Sequence, residues 1–206
     1  MYKHVIWDFD GTLFDTYPSM TKAMQLALEK AGHAVEWDEI YSKLKVTVGF
    51  AKQFYMDKFG LGEEFENDYV SIRTSIEAGM CVPYDGIKEL LSDIIAAGGK
   101  NYICTHRGST LRGILEYHGM SHLFEYAVTK EHGLKLKPDP ESVTYLIDRF
   151  GIEKSEAVMV GDRELDVLAG QNAGITGCAY SDGSGSPIPC ADITAASVAE
   201  LRTLLL

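Results

Sequence analysis

Short runs of apolar residues alternate with amphipathic stretches through most of the chain. The first run, His4–Trp7, ends at Asp8 and predicts a buried strand. The alternation resumes after Pro83 and predicts further strands at 102–105, 126–128, 157–160 and 175–179, with helices at 86–97, 109–118, 140–150, 164–173 and 197–205. Strands that alternate with helices are typical of a parallel sheet covered on both faces. We therefore expect an α/β fold with a Rossmann-like core.

A block of helical periodicity interrupts this alternation just after the first strand. Its helices are expected at 18–31, 37–44, 51–59 and 63–78, with a glycine-containing segment at 44–50 that we expect to face the cleft. We predict two domains, an α/β core of residues 1–15 and 81–206 and a small all-helical cap of residues 16–80 above the edge where the strands end. A Ser- and Gly-rich stretch at 181–187 predicts a surface loop.

The charge balance excludes two classes of partner. The 206 residues include 19 Lys and Arg against 30 Asp and Glu, a formal charge of −11. Such a protein repels a phosphate backbone and lacks the basic stretch that holds proteins to anionic membranes, so we expect neither nucleic acid nor membrane as a partner. No apolar run approaches the roughly 18 residues of a membrane-spanning helix, and the first residues do not resemble a secretory signal. Four widely spaced cysteines indicate reduced thiols and a cytoplasmic protein without structural zinc.

Candidate catalytic side chains follow four of the predicted strands, whose carboxyl ends meet at the edge where open parallel sheets bind ligands. They are Asp8 and Asp10 after the first strand, Thr105 at the end of the second, Lys137 beyond the third, and Asp162 and Asp166 after the fourth. Carboxylates crowded together are costly unless a cation neutralises them, and a hard divalent ion, Mg²⁺, suits oxygen ligands. With a lysine and a threonine hydroxyl, the set predicts a site for a phosphoryl group.

These residues carry a family resemblance. Asp8-Phe9-Asp10-Gly11-Thr12-Leu13 resembles the first motif of the haloacid dehalogenase (HAD) superfamily; Thr105 matches its second motif, Lys137 its third and Gly161-Asp162-x-x-x-Asp166 its fourth. The segments 82–87 and 169–175 are also similar to parts of capped members. The resemblance covers nearly the whole chain in the right order, and it points to the branch that includes phosphoglycolate phosphatase and β-phosphoglucomutase, with a helical cap between the first two motifs.

The resemblance implies a role for each motif residue. Asp8 would be the nucleophile that forms an aspartyl-phosphate, and Asp10 the general acid and then the general base. Thr105 and Lys137 would hold the phosphoryl oxygens. The metal ligands would be Asp8, the backbone carbonyl of Asp10, and Asp162, with Asp166 binding or supporting the metal. Because residues two apart on a strand share a face, Asp8 and Asp10 can approach the same phosphorus.

Substrate contacts are harder to assign from the sequence. We expect Gly11 and Thr12, in the turn after the reactive strand, to lie against the substrate, and Thr47 and Gly49 to contact it from the cap. His106 departs from the Asn or Ser that many relatives carry after the second-motif Thr, and either a substrate contact or a structural role fits it. Arg107 and Arg163 are interpreted as loop or ion-pair residues.

The function that fits the motifs best is a Mg²⁺-dependent phosphatase acting on a small phosphorylated metabolite, with a monomer as the default state. A phosphomutase of the β-phosphoglucomutase type would use the same Asp8 and Asp10, but the cap segment 45–49 lacks the Gly and Arg usual in mutases. Dehalogenases and phosphonatases normally lack the equivalent of Asp10. A non-catalytic binding protein should have lost a motif residue, and all of them are present.

Overall fold

The α/β part of the chain is built on a parallel sheet. In the computed structural model, which describes residues 1–181 and 187–206, the strands are β1 (His4–Trp7), β2 (Phe14–Asp15), β3 (Val82–Pro83), β4 (Lys100–Cys104), β5 (Tyr126–Val128), β6 (Ala157–Gly161), β7 (Thr176–Tyr180) and β8 (Ile193–Ala195). Six of them form one sheet in the order β5-β4-β1-β6-β7-β8, and every pairing in it is parallel. The expected α/β, Rossmann-like fold is confirmed.

Helices connect and flank these strands. Within the described ranges they are α1 (Tyr17–Lys30), α2 (Trp37–Val46), α3 (Val48–Phe59), α4 (Glu63–Met80), α5 (Ile87–Ala96), α6 (Thr110–Tyr117), α7 (Glu141–Phe150), α8 (Glu164–Ala173) and α9 (Val198–Leu205). None of them is long and apolar enough to cross a membrane.

The chain separates into two compact units. One comprises Met1–Phe14 and Pro83–Leu206, and the other comprises Asp15–Val82. The second unit is helical, and its core is formed by the apolar faces of α1–α4, including Tyr17, Met24 and Tyr55. The short strands β2 and β3 pair with each other where the chain passes from one unit to the other and back.

Side chains alternate between the two faces of the large sheet. Ile6 and Tyr102 point to the face covered by α7 and α8, where they join an apolar cluster with Leu146 and Ala169. Trp7 lies on the opposite face, and its indole N–H donates to Asn101 Oδ1 at 3.0 Å. The Asn101 amide in turn donates to the backbone oxygen of Leu91 in α5 at 3.0 Å, so this buried amide is fully used.

Two local predictions differ from the structure. The two-residue strands β2 and β3 were not expected, and neither was β8, in which the exposed Thr194 interrupts the apolar residues. The segment 44–50 is helical except at Thr47, where α2 ends and α3 begins; the Thr47 hydroxyl accepts a hydrogen bond from Phe50 N at 2.9 Å and caps α3. Of the loop expected at 181–187, residues 182–186 lie outside the described residues.

Candidate active site

Asp8 lies at the centre of the sheet edge because β1 is a central strand. Its neighbours are β4 and β6, paired through Trp7 with Ile103 and Val160. The backbone N–H of Asp8 donates to Val160 O at 2.8 Å, so the ladder continues one residue beyond the strand. The parallel strands therefore bring the residues that follow β1, β4 and β6 to one place, as the sequence predicted.

Lys137 is the cation that faces Asp8. Its Nζ lies 2.6 Å from Asp8 Oδ1, 2.5 Å from Asp166 Oδ1 and 2.9 Å from the backbone oxygen of Cys104. The side chains of all three charged residues are almost entirely inaccessible to solvent. A buried ammonium needs such partners, and Lys137 has two hydrogen bonds, to Asp8 and Cys104, and an ion pair with Asp166.

Burial and neighbouring charges shift the pKa values of Asp8 and Lys137. Burial, and then the neighbouring Asp166 carboxylate, raises the pKa of Asp8 to about 6, against the opposing effect of Lys137. Burial alone would lower the pKa of Lys137, but Asp166 and Asp8 outweigh it and hold that pKa above its usual range. Lys137 therefore stays charged, and Asp8 is ionised above about pH 6 in the metal-free protein.

The end of β6 places Asp162 and Asp166. Asp166 lies in the first turn of α8, where its Oδ2 accepts a hydrogen bond from Arg163 N at 3.1 Å. Gly161 makes this turn possible, because a Cβ at that position would lie 2.2 Å from Asp166 Cβ. A side chain of any size at residue 161 would displace Asp166 from Lys137.

Three of these carboxylates form a candidate metal site. Among the described residues, one oxygen each of Asp8, Asp162 and Asp166 lies within 4.8 Å of the others. The Asp8 oxygen that Lys137 does not touch, Oδ2, is buried and accepts no hydrogen bond in the described part of the chain. Three carboxylates whose oxygens lie this close together are hard donors that fit Mg²⁺, which prefers carboxylates and water.

Asp10 has a different partner from Asp8. Its Oδ1 forms an ion pair with Nη2 of Arg107, whose side chain is only 1% exposed. We interpreted Arg107 as a loop or ion-pair residue, and the structure confirms the ion pair. Sequence reasoning missed that its partner is Asp10. The available signal was that Arg107 stands two residues after Thr105, at a strand end that meets the first one.

Thr105 and His106 begin the loop after β4. The Thr105 hydroxyl accepts a hydrogen bond from Arg107 N at 3.1 Å, and its backbone N–H continues the ladder to Val128 O at 3.0 Å. His106 Nε2 accepts from the backbone N–H of Lys137 at 2.8 Å. Burial, and then the Lys137 charge, lowers the pKa of His106 to about 4, so the ring is neutral near pH 7.

The other candidates for substrate binding are less directly placed. Gly11 adopts a positive φ of 85° and donates to Phe14 O at 2.8 Å, which turns the chain sharply after Asp10. Thr12 is fully buried in that turn. Thr47 and Gly49 belong to the helical unit, at the start of α3. The substrate contacts assigned to these four residues stay predictions.

Comparison with known proteins decides the family. The model of the haloacid dehalogenase-like hydrolase family matches residues 5–180. The chain belongs to this family. The resemblance drawn from the four motifs is therefore confirmed, and with it the expectation that this HAD-family protein is a hydrolase of the phosphatase type.

Individual relatives of this HAD hydrolase agree. It is 27% identical to a phosphoglycolate phosphatase of Vibrio parahaemolyticus, over 97% of this chain and 94% of the relative. It is 29% identical to an N-acetylmuramic acid 6-phosphate phosphatase of Pseudomonas aeruginosa, over 84% of this chain and 78% of the relative. Among solved structures, a hydrolase from Streptococcus pneumoniae TIGR4 matches with a TM-score of 0.67 and 31% identity, covering 99% of this chain and 98% of that one.

Proposed function

We propose that this protein is a Mg²⁺-dependent phosphatase that hydrolyses a small phosphorylated metabolite through an aspartyl-phosphate on Asp8. The observation that carries the proposal is how Asp8 is held. Its Oδ1 accepts a hydrogen bond from Lys137 at 2.6 Å, whereas Oδ2 is buried and accepts none within the described residues. A carboxylate anchored by one oxygen can present the other to an electrophile in a fixed orientation.

The first step transfers the phosphoryl group to the enzyme. An electron pair on Asp8 Oδ2 forms a bond to phosphorus, and the bond from phosphorus to the ester oxygen breaks. In the substrate complex Asp10 carries a proton, and it donates this proton to the departing oxygen, so an alcohol leaves. The Thr105 oxygen already accepts from Arg107 N, which leaves its hydroxyl proton to be donated to a phosphoryl oxygen. Lys137 keeps a positive charge beside Asp8.

The second step releases phosphate. A water molecule attacks phosphorus and gives a proton to Asp10, the bond from phosphorus to Asp8 Oδ2 breaks, and its electron pair returns to the carboxylate. Inorganic phosphate leaves, and both aspartates regain their starting forms. Mg²⁺ held by Asp8, Asp162, Asp166 and the Asp10 carbonyl would supply positive charge that offsets the charge on the phosphoryl oxygens.

Substrate choice is assigned to the helical unit. We propose that residues 16–80 act as the cap, with Thr47 and Gly49 in contact with the substrate, and that Gly11, Thr12 and His106 contact it from the core. Two relatives are named for phosphoglycolate and for N-acetylmuramic acid 6-phosphate, which are both small phosphate esters. These names support a small phosphorylated metabolite as the substrate class.

The test compares two Asp→Asn variants of the purified protein on an aryl phosphate with Mg²⁺. Asp8→Asn removes the nucleophile and should lower kcat at least about 10³-fold, whereas Asp148→Asn, on the exposed face of α7, should leave kcat unchanged. Acid quenching during turnover of a ³²P-labelled substrate should trap label on the wild type, removable by hydroxylamine, and none on Asp8→Asn.

A panel of phosphorylated metabolites then identifies the substrate. Phosphate release from one of them supports the proposal. Isomerisation of a sugar phosphate that a bisphosphate stimulates would identify a phosphomutase instead. Wild-type activity in Asp8→Asn, or no turnover of any ester, would overturn the proposed function.

A further inference from the structure

Arg107 is a buried guanidinium that is held on three sides. Its Nη2 pairs with Asp10 Oδ1, and its Nη1 donates to Thr110 Oγ1 at 3.0 Å. The guanidinium carbon lies 5.2 Å from the centre of the Phe9 ring, within the range of a cation–π contact. Two hydrogen-bonded nitrogens and a stacked ring fix the plane of the group.

The backbone of Arg107 is fixed as well. Its N–H donates to Thr105 Oγ1 at 3.1 Å, and its carbonyl accepts from Lys130 N at 3.0 Å. The base of the side chain is thus tied to the end of β4, and its tip is tied to Asp10 and α6. The position of the guanidinium is therefore set by the core, and Asp10 is oriented against a rigid partner.

The two aspartates of the first motif have separate cations. Lys137 holds Asp8, whereas Arg107, from a different loop, holds Asp10. We propose that Arg107 is a positioning residue that orients the Asp10 carboxyl group, which carries a proton in the substrate complex, for proton transfer to the leaving oxygen. This inference rests on the proposed function, because it requires Asp10 to be the general acid.

The proposal also defines the substrate class for which Arg107 matters. An alkoxide is a strong base and leaves phosphorus only as it gains a proton, whereas a dinitrophenolate leaves without one. A fixed general acid is therefore needed for phosphate esters of aliphatic alcohols.

The first experiment measures kcat/KM over a series of monoesters, from dinitrophenyl phosphate to simple alkyl phosphates. Arg107→Met should lower kcat/KM about 10- to 100-fold for alkyl esters and less than about threefold for the dinitrophenyl ester, so that the dependence on the leaving group becomes steeper. Arg112→Met, which removes a charge from an 86% exposed side chain of α6, should leave the whole series unchanged. An equal loss for every ester in Arg107→Met would overturn the proposal.

A double-mutant cycle separates positioning from direct or merely structural roles. If Arg107 acts through Asp10, adding Arg107→Met to Asp10→Asn should cost nothing further in kcat/KM for alkyl esters. Losses that add would show that Arg107 acts independently, which would overturn the proposal. Thr110→Val removes only the hydrogen bond from Arg107 Nη1 to Thr110. It should give a smaller loss in kcat/KM with the same dependence on the leaving group. This variant replaces Arg107→Met if Arg107→Met fails to fold.

The outcome for Asp8 keeps the two proposals distinct. If Asp8→Asn abolishes turnover while the losses in kcat/KM from Arg107→Met and Asp10→Asn add, the proposed phosphatase function is supported and the positioning role of Arg107 is overturned. If Asp8→Asn keeps wild-type turnover, both the proposed function and the inference about Arg107 are overturned.

Discussion

His106 Nε2 accepts a hydrogen bond from the backbone N–H of Lys137 at 2.8 Å. This bond joins the loop after β4 to the loop that carries the site lysine. Because Nε2 is the acceptor, the ring proton of the neutral imidazole lies on Nδ1. His106, which departs from the family pattern, thus positions Lys137, which matches the third motif of the family.

The first prediction concerns this bond. His106→Phe keeps the bulk of the ring but removes the acceptor, so the Lys137 loop should loosen and kcat should fall about tenfold. His106→Gln keeps an acceptor oxygen and should lose less than about threefold. Steady-state kinetics on an alkyl phosphate check both, with exposed His122→Gln as the control. Equal losses in His106→Phe and His106→Gln would show that the bond does not position Lys137.

The second prediction concerns stability against pH. The pKa of His106 is lowered to about 4 in the folded protein, so below about pH 6.5 the unfolded chain binds a proton that the folded protein does not. The His106 contribution is therefore fully present above pH 6.5 and is lost as the pH falls towards 4. Between pH 7.5 and 5, His106→Gln should lose roughly 1–2 kcal/mol less unfolding free energy than the wild type, as measured by urea denaturation. Parallel pH profiles for the two proteins would contradict this.

The third prediction compares two glycines. Gly161→Ala places a methyl group 2.2 Å from Asp166 Cβ and should destabilise the protein by about 1–3 kcal/mol while lowering kcat at least about tenfold. Gly113→Ala, in α6 with nothing within 4 Å of the new Cβ, should be neutral or stabilising by up to about 1 kcal/mol, with normal kcat. Thermal denaturation and kinetics report both quantities. Normal activity in Gly161→Ala would mean that the position of Asp166 is not critical.

The fourth prediction concerns the metal. Chelation should abolish turnover but leave the far-ultraviolet circular dichroism spectrum unchanged, because the carboxylates are already neutralised in part by Lys137 and Arg163. Added Mg²⁺ should restore activity. Asp162→Asn should raise the Mg²⁺ concentration for half-maximal activity about 10- to 100-fold, with Asp148→Asn as the control. Full activity in the presence of a chelator would show that the reaction does not require the metal.

The position of the candidate site was predictable because the ends of the strands can be recognised in this sequence. Apolar runs that stop at Asp8, Thr105 and Gly161 mark three neighbouring strands, and parallel pairing then forces these residues together. Lys137 followed from the family motif. The structure adds its partners, since the pairing with Asp166 depends on the first turn of α8 and on the missing side chain of Gly161.

What the sequence did not reveal depends on side-chain orientation or on very short elements. Whether Arg107 turns towards Asp10 is decided by Thr110 and Phe9, which no periodicity links to it. The cap of α3 depends on one residue, Thr47, between two helices, and in β8 the exposed Thr194 interrupts the apolar residues. A pattern needs several repeats before it indicates a structure.

Each compact unit contains one of the two tryptophans of the chain, Trp7 in the sheet and Trp37 at the start of α2. Trp7 is completely buried and hydrogen-bonded next to Asp8, whereas Trp37 is half-buried. Their emission spectra should therefore differ, and a Trp37→Phe protein would fluoresce from the sheet alone. The chain thus has a built-in optical probe for each unit, able to show whether the two melt together or one after the other.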